Sequence, residues 1–145
     1  MRHPHFYGRQ QSVSLTFSDK RKPSAAQVKG LYQHAQWAKR RPAAAVAKAL
    51  RHSDLLFSAW DGKALVGFCR VSTDFSFRAV IWDVIVHPDY FRQGIGARLV
   101  TMVIEQPKLK SVDGFWLFTT DKQVFYKKLG FKLYPKNLML LRMKA

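Results

Sequence analysis

The stretch Ile81-Trp82-Asp83-Val84-Ile85-Val86-His87-Pro88-Asp89-Tyr90-Phe91-Arg92-Gln93-Gly94-Ile95-Gly96-Ala97-Arg98-Leu99-Val100 decides how this chain is read. An apolar run from about Ala79 to Val86 predicts a buried strand, His87 to Tyr90 a turn, and Gly94 onward the opening of a helix. Ile95, Leu99, Met102 and Val103 share one helical face, and Pro107 stops that helix after about Glu105. A strand that feeds a helix through glycines makes an anion site. Gly94 and Gly96 let a phosphate approach main-chain N–H groups, and the helix N-terminus adds partial positive charge. Strict alternation along the strand points Ala79, Ile81, Asp83 and Ile85 one way and Val80, Trp82, Val84 and Val86 the other. Asp83 is then a carboxylate inside an apolar strand. Burying it unpaired is costly, so it needs a hydrogen-bonding partner or a wet cleft.

Upstream, Val13, Leu15 and Phe17 alternate with polar residues as in a half-buried first strand, preceded by a loose basic arm from Met1 to Gln11. Pro23 and Ser24 begin a helix whose Val28, Leu31, Tyr32 and Ala35 form one apolar stripe. Trp37 and the basic run Lys39-Arg40-Arg41 follow, and Pro42 opens an alanine-rich helix to about His52. Leu55 to Trp60 and Ala64 to Ser72 form a hairpin, because Asp61-Gly62 suits a tight primed turn. Downstream, Lys108 to Asp113 is a loop and Gly114 to Phe118 a strand. Thr119-Thr120-Asp121 offers a helix N-cap, and Val124 to Leu129 is a short helix closed by Gly130. Phe131 to Tyr134 and Leu138 to Met143 are expected to pair around Pro135-Lys136-Asn137. The order predicts one mixed α/β domain over 1–145, with a mostly antiparallel sheet of about seven strands and about four helices.

Composition agrees with one domain: 145 residues, 48% hydrophobic and 14% aromatic, suffice for a sizeable core. No apolar run reaches the roughly 20 residues that span a bilayer, and Met1 to Gln11 lacks the apolar centre of a secretory signal. The cytoplasm is the expected location, or the plastid stroma for a plastid-bearing source. Cys69 is the single cysteine, which rules out an intrachain disulfide and reads as a buried structural thiol. No metal-ligand pattern surrounds it, and no metal is expected. Lys plus Arg total 25 against nine acidic residues, a formal charge of +16. Such an excess attracts a polyanionic cofactor or an acidic partner. The basic residues are scattered and form no nucleic-acid motif, so nucleic acid is not the expected partner.

The string from Ile81 to Val100 resembles the acyl-CoA segment of the GNAT superfamily of N-acyltransferases: a strand, V-x-P, then [QR]-x-x-G-x-[GA], here Phe91-Arg92-Gln93-Gly94-Ile95-Gly96. Phe91 departs from the usual Gln or Arg, which removes one side-chain contact. Phe125-Tyr126-Lys127-Lys128-Leu129-Gly130-Phe131 resembles the superfamily's late helix. Ile81 to Val84, Leu117-Phe118 and Val124 to Tyr126 are similar to the plastid and cyanobacterial serotonin N-acetyltransferase group, whose members are also discussed as protein lysine acetyltransferases.

The resemblance implies acetyl-CoA as co-substrate and a sheet splayed where it sits. Main-chain groups of Val84, Ile85 and Val86 would hold the pantetheine and thioester, and Phe91, Arg92, Gln93, Gly94, Ile95, Gly96 and Ala97 the pyrophosphate. Tyr126 would protonate the leaving thiolate, since a phenol of pKa about 10 keeps its proton near neutrality. The acceptor would be a primary amine: an arylalkylamine such as serotonin or tryptamine, or alternatively a protein lysine or N-terminus. An alkyl amine of pKa about 10.4 is mostly protonated at pH 7, and freeing it costs roughly 4 kcal/mol. A base therefore helps, and Asp83 and Asp121 are the candidates. The related group's second acid lies slightly further from its tyrosine than Asp121 from Tyr126, so Thr120 competes for that place. His87 reads rather as an exposed turn residue, and Trp37 as a candidate wall of the acceptor site. A non-catalytic module that binds acyl-CoA or an acidic partner is the alternative from another class. Monomer and homodimer both fit.

Overall fold

Ser24 starts the first helix because its hydroxyl accepts from the N–H of Gln27 while the Gln27 side chain accepts from the N–H of Ser24, a reciprocal cap. That helix, α1 (Ala25–Tyr32), lies between strand β1 (Leu15–Ser18) and helix α2 (Ala43–Arg51) in the computed structural model, which describes residues 14–143. The expected basic arm and Val13 lie outside the described residues. Strands β2 (Leu55–Asp61), β3 (Ala64–Thr73) and β4 (Arg78–Val86) follow, then helix α3 (Ile95–Ile104), strand β5 (Gly114–Trp116) and helix α4 (Gln123–Lys128).

The sheet runs β1-β2-β3-β4-β5, antiparallel except for the β4–β5 pair. Helix α3 makes that parallel pair possible, because parallel strands need a crossover rather than a hairpin. The β2–β3 hairpin forms as expected, but its primed turn is Gly62-Lys63 with Gly62 at φ +60°, one residue later than Asp61-Gly62, because Asp61 pairs with Ala64 in the strands. Each face of the sheet has a core. Phe57, Cys69, Val71, Ile81, Leu99, Val100, Val103 and Tyr126 bury one face beneath α3; Val28, Leu31, Tyr32, Val46, Phe68 and Ile85 bury the other beneath α1 and α2.

Helix α3 sits close to the sheet because Gly67 has no side chain. A Cβ there would meet Ile95 Cγ2 at 2.7 Å and both Ala59 Cβ and Leu99 Cδ1 at 3.2 Å. Gly67→Ala is therefore expected to destabilise the fold by about 1–3 kcal/mol through overpacking. Urea unfolding checks this, and an unchanged midpoint would mean that α3 can shift without loss.

Two expectations need correction. The sheet has five strands among the described residues rather than about seven. Phe131 to Tyr134 and Leu138 to Met143 pair with nothing, and a short 3-10 turn at Pro135–Asn137 separates them. Strand β5 spans three residues, so its outer edge offers few main-chain groups to template a further strand. Alternation in β4 also fails beyond Trp82. Trp82 lies opposite Arg70 but Ile85 opposite Phe68, so β4 carries an extra residue, and Asp83 adopts φ +58°. This is a β-bulge. It turns Asp83 onto the α1 face and resets the faces: Val84 and Val86 join the α3-side core and Ile85 the α1-side core.

Candidate functional site

Strand β4 parts from β5 where the bulge begins. The parallel pairing covers only Arg78–Gly114, Ala79–Phe115 and Val80–Trp116. From Ile81 to Val86 the edge of β4 that faces away from β3 has no strand partner among the described residues. Backbone N–H and C=O groups left unpaired beside a gap require a partner. Val84, Ile85 and Val86, expected to hold a pantetheine through their main chain, lie on this open edge.

At the end of β4, His87 caps a 3-10 turn at Pro88–Tyr90, its Nδ1 accepting from the N–H of Asp89 at 3.1 Å. His87 is only partly exposed and also packs against His34, ring centroids 4.4 Å apart and planes tilted by 60°. The chain next turns through Arg92 at φ +64° and Gly94 at φ +75° into α3. Gly94 is the N-cap and no side chain caps that end, so the first N–H groups of α3 stay open. Phe91, Arg92 and Gln93 are exposed beside it, while Ile95 is buried in the core. Ile95 can therefore contribute only its main chain. Gly96 faces Phe125: a Cβ there would lie 3.4 Å from the Phe125 ring. That contact packs α4 against the start of α3, and Tyr126 lies in the core cluster against which Val84 and Val86 pack.

Tyr126 is 9% exposed, packed at right angles against Phe125 and Phe131. Burial, with smaller contributions from Cys69 and Asp121, pushes its phenol up to about 12. Cys69 is buried as expected, and burial drives its thiol upward too, so it stays an uncharged part of the core. Asp121 is exposed in the loop before α4. It does not belong to the expected N-cap: Lys122 occupies that position without a side-chain bond, and the Thr119 hydroxyl accepts from the Lys122 N–H at 3.0 Å.

Asp83 lies on the other face of the bulge. Its Oδ2 accepts from the Tyr32 hydroxyl at 2.6 Å, Arg70 Nε at 2.8 Å and Arg41 Nη1 at 2.9 Å, and its side chain is 5% exposed. Burial opposes the charge. Hydrogen bonds from Tyr32 and Arg70 and the charges of Arg70 and Arg41 outweigh it, holding the carboxyl below the usual carboxylate range. Burial and the same carboxylate push the Tyr32 phenol upward. The cluster carries one negative and two positive charges. Aromatic rings surround it: Trp37 lies 6.2 Å from Tyr32 between ring centroids, and Trp82 stacks on Phe118 at 5.5 Å. Trp37 is 56% exposed. Tyr32, Arg41 and Arg70 were not singled out from sequence. An unpaired carboxylate in an apolar strand signalled that partners must exist, but not where they came from.

An open strand edge, an uncapped helix start behind two positive-φ residues and a buried tyrosine beside them are what a thioester with a phosphate tail requires. Residues 52–133 match the family model described as an acetyltransferase (GNAT) domain. The chain belongs to the GNAT family. Among curated relatives, the N-acetyltransferase ycf52 of Gracilaria tenuistipitata var. liui is 42% identical over 77 residues, covering 52% of this chain and 42% of the relative. A histone acetyltransferase, TAP1, of Glycine max is 32% identical over 111 residues, covering 68% of this chain and 45% of the relative. The chain thus spans about half the length of these GNAT relatives. A GNAT-family acetyltransferase structure from Xanthomonas campestris pv. campestris superposes with a TM-score of 0.78 at 30% identity, covering 90% of this chain and 94% of that one. The mixed sheet with four flanking helices is accordingly the GNAT fold.

Proposed function

We propose that this GNAT domain transfers the acetyl group of acetyl-CoA to a primary amine by direct attack in a ternary complex. The single observation that carries this reading is the opening of β4 from β5 at the Asp83 bulge, next to the uncapped start of α3. The main chain of Val84, Ile85 and Val86 would hold the pantetheine and meet the developing oxyanion. Phe91 to Ala97 would receive the pyrophosphate, through main-chain N–H groups at Gly94 to Ala97 and the charge of Arg92. Acetyl-CoA supplies an acyl carbon activated as a thioester.

In this reading Tyr126 hydrogen-bonds the departing sulfur. A phenol at about 12 stays protonated throughout the working range. Full transfer to a thiolate of pKa about 8.5 is uphill, so Tyr126 donates most strongly as the amine nitrogen sheds its own proton.

Asp83 is a weak base for an ammonium group because its carboxyl is held low and three donors occupy one oxygen. Its role is to hold Arg41 and Arg70 and to offer Oδ1 to the acceptor's N–H. The released proton passes to solvent; Asp121, the other acid considered as a base, is exposed in the loop before α4.

Residues 1–145 are proposed to act as one catalytic domain. The aromatic wall of Tyr32, Trp37, Trp82 and Phe118 favours an arylalkylamine acceptor such as serotonin or tryptamine. The TAP1 relative's name favours a protein amine as the second reading. A plastid stroma location accords with two relatives of Arabidopsis thaliana that are named as chloroplastic.

The test is a thermal-shift titration. Acetyl-CoA is expected to raise the melting temperature, because a ligand that binds only the folded state stabilises it by mass action. Gly96→Asp should abolish the shift. An aspartate in the first turn suits the helix dipole but lies against the Phe125 ring, so the melting temperature without ligand is measured beside the shift, and its charge repels the pyrophosphate. An unchanged shift would remove the anion site from the reading.

A further inference from the structure

Arg41 is the more open of the two arginines that share the Asp83 carboxylate. Its side chain is 39% exposed, whereas that of Arg70, bound to the same carboxylate, is 18% exposed. Arg70 spends Nε on Asp83 and Nη1 on Ser53 Oγ at 3.5 Å. Arg41 spends only Nη1, on Asp83 Oδ2 at 2.9 Å, and its Nε and Nη2 have no hydrogen-bond partner among the described residues. The guanidinium is nonetheless held in place. Its carbon lies 5.3 Å from the ring centroids of both Tyr32 and Trp37, and the Arg41 carbonyl accepts from Lys29 Nζ at 2.7 Å.

One carboxylate cannot neutralise two guanidinium groups, so the cluster keeps about one positive charge beside the rings of Tyr32, Trp37 and Trp82. A guanidinium offers donors in a planar fork that matches a carboxylate, and fixing it against rings removes much of the entropy cost of using it. Asp83 Oδ1 lies on the same group. It can accept an amine N–H while Arg41 holds an anion beside it.

We propose that Arg41 is a specificity-determining residue that receives a carboxylate carried next to the acceptor's amine. Acceptors of this class are amino-acid-like amines or amines of acidic peptides, in preference to simple alkylamines. The inference deepens the acetyltransferase reading and rests on it for the identity of the amine as acceptor.

Two matched pairs of probes test it: 5-hydroxytryptophan against serotonin, and a lysine peptide flanked by glutamate against the same peptide flanked by glutamine. The wild-type protein should favour the acidic member of at least one pair by about tenfold in kcat/KM, and the pair that responds identifies the source of the carboxylate. Arg41→Gln should bring that ratio near unity, and Arg41→Lys, which keeps the charge without the fork, should retain part of it. Comparing ratios between variants cancels any difference in amine pKa within a pair. Thermal shifts by the same four probes without acetyl-CoA give a second readout. Preferential binding of the acidic member without transfer would overturn the enzymatic reading and leave this site standing. Equal handling of both members in both pairs by the wild type, or a preference that survives in Arg41→Gln, overturns the proposal.

Discussion

Tyr126→Phe is expected to lower kcat by about 10²-fold or more, while the acetyl-CoA thermal shift stays close to wild type. The substitution keeps the ring that packs between Phe125 and Phe131 and removes only the hydroxyl, so the core about it should be preserved. The sign of the pH dependence follows from the raised phenol. With its proton held up to about 12, Tyr126 does not titrate across pH 6–10. The rise of kcat/KM over that range therefore belongs to the acceptor amine and should persist in Tyr126→Phe at lower amplitude. Turnover equal to wild type would assign protonation of the sulfur to water.

The second large effect concerns stability. Asp83→Asn keeps the shape but removes the charge that compensates Arg41 and Arg70. Breaking a buried ion pair on one side costs about 3–5 kcal/mol. The lower end, about 3 kcal/mol, is expected because the Arg41 side chain is 39% exposed. Chemical unfolding measures the loss, and Asp83→Asn combined with Arg70→Met should recover part of it, since the pair acts as a unit. Additive losses in the double variant would mean that the two residues are not coupled. Because the folded carboxyl lies below its unfolded value near 3.9, its stabilisation is complete above about pH 5. It disappears as pH falls through the depressed folded value. Wild type should consequently lose its advantage over Asp83→Asn at acid pH. A general-base role for Asp83 would show differently, as a loss in kcat/KM largest at low pH with the fold intact. The geometry around Oδ2 argues for the structural outcome.

Much of the fold was legible from local sequence because local rules governed it. Val28, Leu31 and Tyr32 are buried as their helical spacing demanded, although the helix ends at Tyr32 and Ala35 is buried from the turn beyond it; Pro42 and His52 bound α2, and the hairpin turns on Gly62. In each case one element's own periodicity or turn chemistry determined the result. The segment from Val84 to Gly96 likewise announced a strand that turns through Gly94 into a helix whose start no side chain caps, which needs no distant residue. What required the tertiary structure depended on neighbours. The bulge at Asp83 arises from how β4 registers against Phe68 and Arg70, and period-two alternation cannot foresee an inserted residue. The partners of Asp83 come from α1, the loop before α2 and β3, up to 51 residues away in sequence. The last two expected strands failed because strand pairing is a property of the edge that receives it, and β5 is only three residues long. Sequence alone thus determined most of the elements and the turn through Gly94 into α3. The charge balance around Asp83 was decided by packing, because Coulomb interactions follow distance in space and not separation along the chain.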